Sequence, residues 1–153
     1  MKKAKPTPVC SFKNCKKPLY KKGVSWSRFC YSHRYKVSTT GFLGNLYRSM
    51  RRRVEGRTAH NRGNWAGKPI LPKDVFVQWA KNHPDFLASY KRWFSNGFDR
   101  KLTPSVNRMN SNKGYVLGNM EWMTNSQNSG LSGEVRKMKN KKAIYDLLGV
   151  TNG

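Results

Sequence analysis

Four side chains near the start of the chain have the types and the spacing to hold a metal ion. Cys10, Cys15, Cys30 and His33 form the pattern C-x4-C-x14-C-x2-H, two close pairs separated by a loop. Thiolate sulfur and imidazole nitrogen are the donors that zinc prefers, and four of them close a tetrahedral structural site. The spacing therefore predicts two knuckles that clamp one zinc ion. All the cysteines of the chain are used in this way. A closed site has no open position for a substrate, so its work is to stabilise the fold and not to catalyse. The competing reading is a set of buried free thiols beside a surface histidine. The odd cysteine count, with no secretory apolar run after Met1-Lys2-Lys3, argues against a disulfide framework and for a reducing compartment.

The second chemical signal is charge. The chain carries 31 Lys+Arg against 7 Asp+Glu, a formal net charge of +24. Self-repulsion of this size opposes compaction unless a polyanion neutralises it. Nucleic acid is the expected polyanion. A membrane is disfavoured because no apolar run approaches the length of a span. Around the metal ligands stand Lys13, Lys16, Lys17, Lys21, Lys22, Arg28 and Arg34, which would make the knuckle a phosphate-contacting surface. A second run, Arg48, Arg51, Arg52, Arg53, Arg57 and Arg62, follows it.

These groups need elements to position them. Hydrophobic residues make up 37% of 153 residues, too few to predict a large single core. Residues 1–9 read as a basic, disordered tail, and 10–38 as the zinc knuckle. Residues 39–97 read as a basic helical segment with a loop. Phe42, Leu43, Leu46, Tyr47 and Met50 recur at helical spacing, which predicts a helix over 41–54. Gly56 to Gly67 reads as the loop. Val75, Phe76, Trp79 and Ala80 mark a helix over 74–81. Phe86, Leu87, Tyr90, Trp93 and Phe94 mark another, with Pro84 in its first turn and Gly97 past its end. These aromatics are expected to pack as core and not to stack on bases.

Residues 98–131 change pattern. Ser105 to Met109 predicts a strand, and Asn110 to Gly114 a turn. Tyr115-Val116 and Met120 to Met123 read as extended. Thr124-Asn125-Ser126-Gln127 has the form of a capping box, so a helix should begin there and be limited by Gly130 and Gly133. A last helix is expected within 132–153, from Glu134 to Leu148, docked on the core or offered to a protein partner. The predicted architecture is a small α+β fold: zinc knuckle, helical middle, ββα unit and C-terminal helix.

The run Pro104 to Asn110, then Lys113-Gly114-Tyr115, Gly118 to Thr124 and Gln127-Asn128, resembles the ββα-metal motif of phage-type HNH endonucleases. The resemblance implies a DNA endonuclease that uses one divalent ion, magnesium or manganese, to stabilise charge at the scissile phosphate. It implies that Asn119 braces the loop and that Asn128 on the helix and Asn107 on the first strand hold the ion. In an active site Arg108 would pin the scissile phosphate by charge-assisted hydrogen bonds; otherwise it is one more contact to the backbone phosphates. It also implies a bacterial host's cytoplasm as the compartment. The first strand departs from the pattern. Asn107-Arg108 stands where the family often has an acid followed by a base, and the motif contains no histidine. His83, His60 and Asp99 are the groups outside the motif that could replace what is missing.

Three functions fit these residues, in this order. The first is a divalent-metal endonuclease on double-stranded DNA, with Arg108, Lys113 and the arginine run on phosphates. The second is a catalytically inactive descendant that binds DNA and regulates replication or transcription. The third is an RNA- or ribosome-binding zinc protein.

Overall fold

The computed structural model describes residues 6–22, 25–58 and 62–131. The predicted C-terminal helix and His60 lie outside them. The elements in chain order are β1 (Lys21–Lys22), β2 (Ser25–Trp26), α1 (Thr39–Val54), α2 (Arg62–Trp65), α3 (Lys73–Asn82), α4 (Pro84–Ser95), a 3-10 turn (Arg100–Leu102), β3 (Pro104–Arg108) and β4 (Met120–Thr124). A helix, α5, begins at residue 125 and includes 131. The architecture is small α+β, with β1–β2 and β3–β4 as separate antiparallel pairs.

Local chemistry accounts for the ends of these elements. Ser38 caps α1 by accepting the Gly41 N–H at 3.1 Å. Pro84 opens α4, where its missing N–H costs nothing. Gly97 and Phe98 then both take positive φ and turn the chain off the helix. The Thr124–Gln127 box is reciprocal: Thr124 N–H donates to Gln127 Oε1 at 2.8 Å, and Gln127 N–H to Thr124 Oγ1 at 3.2 Å.

Several expectations are corrected. Where the composition predicts no large single core, buried hydrophobic residues of α1, α3, α4, β3 and β4, with Phe98 and Tyr115, form one continuous cluster. Large rings make this possible with few residues: Trp93 lies 5.0 Å from Phe42, and Trp122 lies 4.7 Å from Phe86 and 5.5 Å from Trp79. The loop after α1 contains the short helix α2, because Trp65 packs back against the cluster. Residues Pro8 and Val9 belong to the knuckle and not to a loose tail. Leu19 N–H donates to Pro8 O, and Val9 bridges Pro18. Strand β3 starts and ends one residue before the expected range, and α5 continues through Gly130. Not every residue of the helical stripes is core, since Val75, Leu87 and Phe94 are exposed.

The knuckle is fastened to the helical body by aromatic contact. Phe12, inside the first knuckle, stacks on Phe98 at 4.7 Å and tilts against the His33 ring at 4.3 Å. Tyr90 on α4 donates its hydroxyl to Lys36 O at 2.6 Å. The left-handed backbone at Phe98 is costly for a residue with a Cβ, and this packing offsets the cost.

Candidate metal centre and nucleic-acid interface

The first knuckle is a turn closed by Cys15 N–H donating to Phe12 O, with Asn14 at φ 61 supplying the left-handed residue. Asn tolerates that conformation better than other residues with a Cβ. The second is a helical turn in which His33 N–H and Arg34 N–H both donate to Cys30 O. A separation of three residues on such a turn puts Cys30 and His33 on one side. Their ligand atoms meet those of Cys10 and Cys15 with every pair within 4.8 Å.

The donor set fits zinc. Cys10 Sγ and Cys30 Sγ lie 3.6 and 3.5 Å from His33 Nδ1, and Cys15 Sγ lies 3.9 Å from Cys30 Sγ. Tetrahedral ligands at zinc–sulfur distances of about 2.3 Å and zinc–nitrogen distances of about 2.0 Å stand roughly 3.5–3.8 Å apart. The Cys30 N–H donates to Cys10 Sγ at 3.2 Å. Burial raises the Cys10 thiol, but N–H donors from Cys30 and Phe12 outweigh it and hold its pKa below the ordinary value. At Cys15 the Lys17 N–H lowers the pKa, and burial with the two neighbouring sulfurs more than reverses this. Burial, then the charges of Lys36 and Lys17, lowers the pKa of His33 and so favours the neutral imidazole over the charged form.

In the ββα unit, β3 and β4 pair in register from Pro104↔Thr124 to Arg108↔Met120. Side chains alternate across such a pair. Pro104, Val106, Met120 and Trp122 point into the core. Ser105, Asn107, Glu121 and Met123 share the other face. Asn128 on α5 closes this face by donating to Ser105 Oγ at 2.8 Å. Asn107 Nδ2 donates to Glu121 Oε1 at 2.7 Å. The structure thus places Asn107 and Asn128 on one face of the hairpin and adds Glu121, which sequence reasoning passed over. The signal was available in the antiparallel register, because Asn107 and Glu121 are cross-strand partners.

Asn119 is buried in the bend between the strands. Its Oδ1 accepts the Asn110 N–H at 2.9 Å, and its Nδ2 donates to Asn110 O at 3.1 Å and Gly114 O at 2.8 Å. These bonds tie both ends of the 110–114 loop to one side chain.

Arg108 is not brought to the Asn107–Asn128 face. Its guanidinium lies over the rings of Trp65 and Tyr115, 5.4 Å from each centroid, and donates to Ser111 O and Lys113 O at 3.1 Å. Burial lowers its pKa; Tyr115 opposes that and Arg53 adds to it. Arg53 shares this cluster, over the Trp65 ring and donating to Tyr115 Oη at 3.3 Å. Lys68 donates to Ser111 O beside it, and Lys113 is exposed on the same loop.

The rest of the arginine run divides. Arg48 and Arg52 lie exposed one turn apart on α1, with Arg48 bonded to Asn45. Arg51 and Arg57 pair with Glu55 at 2.6 and 3.0 Å. Arg62 lies in α2. His83 sits at the N-cap of α4, 3.8 Å from Asp85, and Asp99 accepts the Lys101 N–H.

Compared with protein-family models, with curated proteins and with solved structures, the chain gives no match. Its class rests on its own geometry: a small α+β protein with a Cys3His cluster able to hold a metal such as zinc. Among the described residues no helix is long and apolar enough to cross a membrane.

Proposed function

We propose that this protein binds double-stranded DNA and that its ββα unit hydrolyses the phosphodiester backbone with the help of a divalent ion. The observation that carries the reading is the shared face of Asn107, Glu121 and Asn128, turned away from the core. Glu121 restores beside Asn107 the carboxylate oxygen that a hard cation prefers. Magnesium or manganese bound there would supply charge stabilisation at the scissile phosphate. Asn119 holds the loop that spaces the strands. The exposed Arg48, Arg52 and Lys113 suit phosphates, and among the described residues no carboxylate is bonded to the Arg53–Arg108 cluster.

A second reading has its own support. An active site would place Arg108 on the scissile phosphate, yet Arg108 is committed to the opposite side of the hairpin. No histidine stands on the Asn107 face among the described residues. Both features suit a DNA-binding regulator with an inactive site.

Supercoiled plasmid incubated with the zinc-loaded protein separates the two. Nuclease activity predicts relaxed or linear product that requires added magnesium or manganese and falls at least 100-fold, roughly the loss of a metal-oriented step, in Asn128→Ala and Glu121→Gln. Zinc content is measured in every preparation. Bound but intact plasmid under every ion would overturn the nuclease reading and leave the regulator.

A further inference from the structure

The outer surface of the knuckle holds an arrangement that the phosphate clamp does not use. Arg34 follows the ligand His33 directly, in a basic region where no Asp or Glu precedes Glu55. Its guanidinium nevertheless does not face outward for phosphate. It lies 4.2 Å from the ring centroids of both Tyr31 and Tyr35 and 5.3 Å from that of Tyr20. One arm donates to Tyr20 Oη at 3.0 Å and the other to Tyr35 Oη. Its Nε is buried without a hydrogen-bond partner. The half-buried charge is therefore flanked by phenol rings, and what it does is fix them.

Tyr31 is the ring left open. It is 67% exposed, and it meets Tyr20 and Tyr35 edge-on, with centroids 6.4 and 6.0 Å away. A lone exposed tyrosine needs no explanation. A ring held from one side by a planar cation and from its edges by two further rings is different. It loses little rotamer freedom when something stacks on its outer face. The exposed Lys17 and Lys21 and the unopposed charge of the region draw a polyanion to it. A duplex offers phosphates but no open base face. An unpaired nucleotide offers both, and aromatic stacking with flanking cations is how single strands are held without sequence readout.

We infer that the Tyr20–Tyr31–Arg34–Tyr35 cluster is a stacking platform for an unpaired nucleobase, so that the knuckle recognises single-stranded nucleic acid adjoining the duplex. This rests on the nucleic-acid reading of the protein and names the part of the substrate that the knuckle takes. Tyr31 supplies the face that touches the base, and Arg34 is a positioning residue.

The test measures binding of the full, zinc-loaded chain without added magnesium. The probes are a labelled single-stranded DNA, an RNA of the same sequence and the blunt duplex. Tyr31→Ala should weaken single-strand binding about tenfold, the scale of one lost stacked base, with duplex affinity and zinc content unchanged. Tyr31→Phe should bind as the parent does. Arg34→Lys keeps the charge and loses the planar contact, so it should weaken single strands and spare the duplex. Loss in both the DNA and RNA arms supports recognition of the base. Loss in one arm alone supports the platform and identifies its sugar. Equal losses on single strand and duplex, or no loss on either, would overturn the platform while leaving duplex binding in place. A parent chain that binds none of the probes at low salt would remove the nucleic-acid reading itself.

Discussion

At the scale of single residues, burial and hydrogen bonding decide which polar groups are structural. Asn119 is enclosed and makes three bonds that hold a loop. Arg108 is likewise engaged, by two carbonyls and two rings. The Cys3His cluster, able to hold a metal such as zinc, has the largest consequence. A structural zinc contributes on the order of 10 kcal/mol to folding of the unit that holds it. Cys30→Ser should therefore abolish zinc retention, read by elemental analysis against one ion per chain in the parent. It should also loosen the Phe12–Phe98 contact that docks the knuckle, seen as faster amide exchange around residues 10–37. Full retention of zinc in that variant would contradict the tetrahedral set.

At the scale of elements, the hairpin β3–β4 and the segment before α3 are joined by a close backbone approach. Tyr115 N–H donates to Pro69 O, and Leu71 N–H donates to Tyr115 O, forming the parallel bridge between Ile70 and Tyr115. Gly114 lies at this crossing. A Cβ there would stand 1.9 Å from Pro69 O, a backbone atom that cannot swing away. Gly114→Ala should destabilise the protein by about 3 kcal/mol, measured by urea unfolding, because the overpacking falls on backbone. A change under about 0.5 kcal/mol, the size of an ordinary surface substitution, would show that the two segments do not meet as described.

At the scale of the whole molecule, charge is the dominant quantity. The net charge is +24, and among the described residues the Lys or Arg side chains in ion pairs are Arg51 and Arg57, both on Glu55. Most of the described cations are therefore not held by a carboxylate. Duplex affinity should fall on the order of 1000-fold between about 50 mM and about 200 mM salt, as counterions released from several phosphates predict. A filter-binding or anisotropy series measures the slope. A nearly flat slope would remove the phosphate clamp as the source of affinity.

Much of this was legible in the linear order of residues, because it depends on short-range chemistry. The ligand spacing of Cys10, Cys15, Cys30 and His33, the apolar stripes of α1, α3 and α4, and the Thr124–Gln127 box each specify geometry within a few bonds of themselves. The net charge needs no structure at all. Tertiary structure alone decided what the remaining groups meet. Arg108 and Asn107 are neighbours in the chain, yet the two-residue alternation of a strand sends them to opposite sides of the hairpin. Glu121 became part of the Asn107 face only through strand pairing across a bend that Asn119 holds. The contact of Arg34 with Tyr20, Tyr31 and Tyr35 depends on how the Cys3His knuckle closes, which brings residues fourteen apart into contact. Strand alternation sets which side a group takes, but what it meets there follows from packing between segments distant in the chain, which no local pattern encodes.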